Sequence, residues 1–485
     1  MIGLGLGLLL TARPPDRLRA QASPVGTAQA VDRTKPPALA PAPTLRPPEV
    51  RPVTLANGLT LAVLEMHKVP VVDVQIVLGA GAVRDPADVP GLASFTATML
   101  DQGAGTRTAF DVADETAFLG AQYFAGADFD NAVVTLHVPK RQLGAALDLL
   151  ADIVLRPTFA DSEVARQRSL RRSQILQQRD NPVAMASVAL PAILYGGGHP
   201  YGRPLAGTDS SVERLTRDRI AAFYASYYRP NNAKVLVVGD ITPAEARAMI
   251  TARFGAWTAA PVAAPAAATL PSSAPRTIYL VDKPGAAQSV IRIGQPGVAR
   301  STPDYFVLQV LNTILGGSFT SRLNQNLRET HGFTYGASSG FAMRRMAGPF
   351  QAAASVVTAK TDSALIEFLK ELRRIRDVAV PAAELEKAKN YIILGLPGDF
   401  ETTAGAAARF RELLAYDVPL NTYQDYVTRI RAVTAADVQR AARQYLDPEH
   451  FAIVVVGDRA VIEPGLRALN EGPIAPRDMW GHAVP

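Results

Sequence analysis

"LTRDRIAAFYASYYRPNNAKVLVVGD", residues 215–240, aligns without a gap on "VTAADVQRAARQYLDPEHFAIVVVGD", residues 433–458, at a constant offset of 218. Thr216 matches Thr434, Tyr227 matches Tyr445, Pro230 matches Pro448, and Gly239-Asp240 matches Gly457-Asp458. In each copy a threonine stands where its hydroxyl can cap a helix, an amphipathic stretch follows, proline breaks it, and an apolar run with strand propensity stops at Gly-Asp. Two copies of one domain are the simplest explanation of such a repeat.

Outward from the repeat, both halves open with strands. "NGLTLAVLEMHKVPVVDVQIVLGAGA" has an Asn57-Gly58 turn followed by β-rich runs, and "RTIYLVDKPGAAQSVIRIGQPG" repeats that pattern after residue 275. Helical periodicity follows at Phe110–Leu119, Gln142–Ile153, Ser363–Arg376 and Ala382–Leu394. Strands and helices in blocks predict an α+β protein of two homologous domains, with mainly antiparallel sheets flanked by helices.

The expected boundaries are residues 53–258 for the first domain, an Ala/Pro linker over 259–275, and 276–485 for the second. A proline-rich leader occupies residues 23–52. Before it, the apolar run Ile2–Ala12 is too short to span a bilayer but suits a signal h-region, and Ala20-Gln21-Ala22 offers a cleavage site, giving a signal peptide over 1–22. The positive n-region of such signals is missing. The expectation is a bacterial protein that is periplasmic or otherwise exported, with no integral membrane segment in the mature chain.

Composition narrows the chemistry. Hydrophobic residues make up 48% and charged residues 19%, the balance of a folded chain rather than a disordered one. With no cysteine, thiolate metal sites, disulfides and cysteine nucleophiles are excluded. The net charge of +6 is modest, and the densest basic cluster, "RQRSLRRSQILQQR" (Arg166–Arg179), contains no aromatic residue, which argues against nucleic acid. That cluster reads as a solvated helix face, with a second possibility that it lines a chamber and attracts acidic peptides.

Several segments resemble, in order, the pitrilysin/insulinase family of inverted-motif zinc peptidases, particularly its mitochondrial-processing-type members. They are "NGL" at Asn57, "GLASFTATML" at Gly91, "HPYGRPLAGT" at His199, "YYRPNNAKVLVVGD" at Tyr227, "LNTILGGSFTSRLNQNLRETHGFTYG" at Leu311 and the closing "VVVGD". The resemblance implies a LuxS/processing-peptidase-like metallohydrolase fold forming one half of a clamshell. In catalytic members the helix at "GLASFTATML" carries His-x-x-Glu-His, two histidines for zinc and a glutamate that activates water. Here those positions hold Ser94, Ala97 and Thr98, and the third-ligand position falls near Gln174, with no glutamate between Glu163 and Glu213. Hydroxyls are poor zinc ligands beside imidazole, and alanine cannot take a proton. His67, His137, His199, His331, His450 and His482 are too scattered to rebuild the site, so no metal is expected in this chain.

The same resemblance places Arg328 and Tyr335, in "LRETHGFTYG", at the family's arginine-tyrosine pair, which completes the zinc site of a facing subunit by binding substrate and stabilising the oxyanion. Read alone, Arg328 is an ordinary helix-end residue and Tyr335 a strand core residue. Gly316-Gly317 reads as a helix C-cap able to take left-handed backbone, or as a loop that handles substrate. The implied partners are a homologous subunit containing His-x-x-Glu-His, which holds the zinc, and an extended peptide substrate that pairs with a sheet edge. The alternatives are a scaffold or a stand-alone peptide-binding protein of the same fold.

Overall fold

The computed structural model describes residue 47, residues 49–272 and residues 274–484. The apolar run, the cleavage site at Ala22 and the leader as far as residue 46 lie outside the described residues. Among those described, no helix is long and apolar enough to cross a membrane.

The repeat builds two six-stranded sheets. The first contains β1 (Val53–Thr54), β2 (Thr60–Glu65), β3 (Val71–Leu78), β4 (Gln122–Ala127), β5 (Ala132–Pro139) and β6 (Ala233–Gly239), in the order β1-β2-β6-β3-β5-β4. The second contains β7 (Thr277–Asp282), β8 (Gln288–Pro296), β9 (Thr334–Phe341), β10 (Pro349–Val357), β11 (Ala452–Gly457) and β12 (Ile474–Arg477), in the order β12-β7-β11-β8-β10-β9. With the outermost β1 and β12 set aside, the two orders superpose strand for strand. Strand β6 runs parallel to β2 and antiparallel to β3, as β11 does to β7 and β8. The remaining pairings are antiparallel except that of β12 with β7, which is parallel.

Local chemistry sets the elements as the repeat predicts. Thr216 Oγ1 accepts the Arg219 N–H, and Thr434 forms a reciprocal capping box with Asp437; each satisfies amide donors that the first helical turn leaves free. The helices observed at Ala109–Phe118, Leu143–Leu155, Thr361–Asp377 and Ala382–Asp399 match the expected ones within a turn, except that the last continues five residues further. The segment between Phe254 and Thr277 carries neither helix nor strand among its described residues.

Strands β6 and β11 are buried along almost their whole length because both faces of each sheet are covered. Val235 and Val237 of β6 face the core of their own half, whereas Leu236 and Val238 join the core of the second half. That second cover is an exchanged helix: Thr403–Ala415 packs on β3 and β6, and reciprocally Pro182–Tyr195 packs on β8 and β11. Met185, Ala186, Ala189 and Leu190 of the latter meet Val290, Val454 and Val456. The two halves therefore form one compact unit.

A buried polar group locks the exchange. Tyr201, from "HPYGRPLAGT", donates to Asp130 Oδ1 at 2.7 Å and accepts from Met346 N–H at 3.1 Å, while Arg345 N–H reaches Asp130 Oδ2 at 2.9 Å. The Arg344 guanidinium lies 3.8 Å from the centre of the Phe129 ring. The Arg345 and Met346 amides cross between the halves in these contacts, which keeps the loop after β9 in register with the first domain.

Candidate functional site

Helix Leu92–Thr98 stands beside edge strand β4. Its cap is Gly91, at φ +95, a left-handed conformation that an L side chain resists. A Cβ there would also come within 2.8 Å of Gly207 N. The first-turn amides are satisfied from outside the helix: Asp85 accepts Gly91 N–H at 2.8 Å and Ala93 N–H at 2.7 Å. Burial pushes the Asp85 carboxyl up to about 7, against the pull of those bonds and of Arg203.

The three residues at the motif positions have settled into other work. Ala97 is buried in packing. Ser94 Oγ donates to Leu205 C=O at 2.6 Å, and Thr98 Oγ1 donates to Ser94 C=O at 3.0 Å. Between the two hydroxyls lies a cation from the chain itself. Arg171 Nη1 donates to Ser94 Oγ at 3.0 Å and to Ala206 C=O at 3.2 Å, its Nη2 lies 3.5 Å from Thr98 Oγ1, and its Cζ sits 5.6 Å from the centre of the Phe95 ring. Burial lowers its pKa from the ordinary guanidinium value, yet arginine stays charged in proteins.

Zinc does not fit these residues. The donors are two hydroxyls already committed to backbone carbonyls, and a fixed guanidinium would repel a second cation at contact range. Among the described residues no group of three or more His, Asp or Glu is gathered for a metal. Gln174, expected near the third-ligand position, is solvent-exposed one turn beyond Arg171. Sequence reasoning missed Arg171 because it is one of five arginines between 166 and 179, alike by residue type. The solvated-face reading of that cluster holds for exposed Arg172 and fails at Arg171.

In the second half, Arg328 and Tyr335 are brought together. Arg328 lies in a π-helical turn, Asn324–Thr330, in which His331 N–H reaches back five residues to Asn326 C=O. Its Cζ is 5.5 Å from the centre of the Tyr335 ring and 4.0 Å from that of Phe319. Tyr335 is 88% exposed and Phe319 62%, so neither is core. Tyr335 points outward because β9 carries an extra residue there: Ala337 pairs with Ala354 and Thr334 with Val356, leaving Tyr335 and Gly336 opposite Ser355 alone. Such a bulge re-aims a side chain. Arg328 Nη1 is buried without a hydrogen-bond partner among the described residues.

Asn324 sets the distance between turn and strand. Its Nδ2 donates to Ala337 C=O at 2.7 Å and its Oδ1 accepts Ala337 N–H at 3.0 Å, so one side-chain amide pairs with the outer edge of β9 like an additional strand residue. Ser339 N–H bonds Gly316 C=O on the same edge. Gly316 ends helix Tyr305–Leu315 at φ −155, and Gly317 is likewise outside the left-handed region. The expected left-handed backbone is therefore absent. Close approach explains Gly316 instead, since a Cβ would run into the Ser339 backbone. The opposite edge strand, β4, has no such cover: beyond its pairing with β5, its backbone groups have no partner among the described residues.

Residues 61–209 match the family model for insulinase (peptidase family M16), and residues 214–392 match the model for the peptidase M16 inactive domain. An uncharacterized zinc protease of Mycobacterium leprae is 27% identical over 405 residues, covering 83% of this chain and 90% of the relative. One of Mycobacterium tuberculosis is 28% identical over 436 residues, covering 88% and 98%. Among solved structures, a peptidase M16 inactive domain from Pseudomonas fluorescens superposes with a TM-score of 0.79 at 27% identity, covering 84% of this chain and 98% of that one. A protease from Helicobacter pylori gives 0.80 at 21%, covering 84% and 99%, a likeness of fold.

Proposed function

The chain belongs to the insulinase family, peptidase family M16, and we propose that within it this chain works as the zinc-less subunit of a heteromeric metallopeptidase. The partner would be a homologous chain that holds the zinc, the water and the base. This chain would contribute Arg328 and Tyr335 to the substrate carbonyl, the guanidinium binding it and the phenol donating to the oxyanion as charge develops. One observation carries the reading: the arginine-tyrosine pair is assembled with Tyr335 exposed to solvent, while the chain's own motif helix is filled by Arg171. An extended peptide would add to the sheet at β4, the edge whose backbone is free, rather than at β9, where Asn324 stands.

The test is reconstitution. The isolated chain should cleave nothing, and addition of the cognate zinc subunit should give chelator-sensitive cleavage. In that pair Tyr335→Phe and Arg328→Ala should each lower turnover by roughly a hundredfold, the scale of losing one oxyanion donor, with assembly unchanged on gel filtration. Zinc-dependent proteolysis by the isolated chain would falsify the proposal; full turnover in both variants would make the chain a scaffold.

A further inference from the structure

Arg171 raises a question that filling a disused site does not answer, because it is a largely buried cation with no carboxylate partner among the described residues. Buried charges are ordinarily paired. Among the neighbouring arginines, Arg166 bonds Glu163 and Gln102, Arg179 pairs with Asp209, Arg172 is exposed and Arg168 is half-buried. For Arg171 the hydrogen-bond count is informative. Nη1 spends both hydrogens on Ser94 and Ala206, and Nη2 spends one on a long contact to Thr98. Nε and the second Nη2 hydrogen have no acceptor among the described residues, and Nε is not cut off from solvent. Those two N–H groups lie on one edge of the guanidinium, the edge that takes a carboxylate through two parallel hydrogen bonds.

We infer that Ser94, Thr98 and Arg171 form a binding site for a peptide carboxylate, in which the hydroxyls and the Ala206 carbonyl fix the guanidinium and its open edge receives the anion. The placement suits this ligand. Helix Leu92–Thr98 is the neighbour of β4, so a peptide added to that edge passes the guanidinium. The inference thus names the substrate class within the reading above, acidic or terminus-anchored peptides, and rests on that reading for the peptide's route. The carboxylate has two sources, an acidic side chain or the chain terminus.

The experiment measures binding of three fluorescent peptides of equal length to the full chain by anisotropy. One carries an internal glutamate and an amidated C-terminus, one a glutamine and a free C-terminus, and one a glutamine and an amide. At least one carboxylate peptide should bind roughly tenfold or more tightly than the neutral one, the scale of a charge-assisted pair. Whichever wins identifies the source. Arg171→Met should bring the three to parity, Arg171→Lys should keep only part of the preference because it lacks the fork, and Arg172→Gln should keep all of it. Equal binding of the three peptides by the unaltered chain, no binding of any, or a preference that survives Arg171→Met overturns the inference. The wild-type comparison decides even if a variant fails to fold. The subunit reading stands or falls separately, on reconstituted cleavage.

Discussion

Asn324→Ala should loosen the Arg328–Tyr335 pair while leaving both residues in the chain. The side-chain amide holds Ala337 by two hydrogen bonds, 2.7 and 3.0 Å, and braces its own turn through Ser318 C=O and Ser321 Oγ, both at 3.2 Å. Ala337 is buried, so truncation leaves one N–H and one C=O of an edge strand without partners. Each unsatisfied buried group costs about 1–3 kcal/mol, and partial entry of water into the vacated space brings the pair to about 2–4 kcal/mol. Urea unfolding checks this as a lower midpoint at unchanged slope, the signature of altered stability without altered exposure. Asn324→Asp separates the two bonds: it keeps an acceptor for Ala337 N–H but sets a carboxylate against Ala337 C=O, and should be destabilising although it is isosteric. In the reconstituted peptidase, Asn324→Ala should lower turnover, since Tyr335 precedes Ala337 by two residues on the same strand. An unchanged urea midpoint for Asn324→Ala would refute the assignment of Asn324 as the clamp.

Other perturbations test the remaining geometry. Gly91→Ala places a Cβ at φ +95 and within 2.8 Å of Gly207 N, and should destabilise by about 1–3 kcal/mol in chemical denaturation; a shift below about 0.5 kcal/mol, the scatter of surface substitutions, contradicts it. The folded Asp85 carboxyl, raised to about 7 from an ordinary value near 3.8, binds its proton more tightly than in the unfolded chain. Its contribution to stability is therefore full below about 4 and is lost as pH rises through about 7, so the stability difference between wild type and Asp85→Asn should shift toward wild type on acidification from pH 8 to 5; parallel pH profiles count against it. Phe319→Ala removes one face of the guanidinium stack, about 0.5–1 kcal/mol at an exposed site, and should act on substrate affinity in the reconstituted pair rather than on the melting midpoint.

How much of this was legible before folding depends on the range of the interaction. The repeat at 215–240 and 433–458 specified the cap, helix and strand of each copy, because Thr216 and Thr434 act within one helical turn and the apolar runs carry their own periodicity. The shared strand order of the two sheets follows from that duplication. The exchange of Pro182–Tyr195 for Thr403–Ala415 was not legible, since an apolar helix face does not state which sheet it will cover. At the site, Arg328 and Tyr335 could be picked out by spacing within a motif. Phe319 could not, because its place against Arg328 depends on the approach of Gly316 to Ser339, a contact between elements more than twenty residues apart. Arg171 was hidden by its neighbours of the same type. Only the rotational phase of its helix against "GLASFTATML" singles it out.

The reciprocal covering of the sheets has a mechanical consequence. Each sheet is clasped by a helix that belongs to the opposite half, and the Tyr201–Asp130 contacts pin the loop between β9 and β10 to the first domain. Parting the halves would strip apolar surface from both sheets at once, so neither half can swing while the other stays folded. The chain is thus a single stiff jaw. In the proposed assembly, any opening and shutting around a peptide would then have its hinge outside this polypeptide.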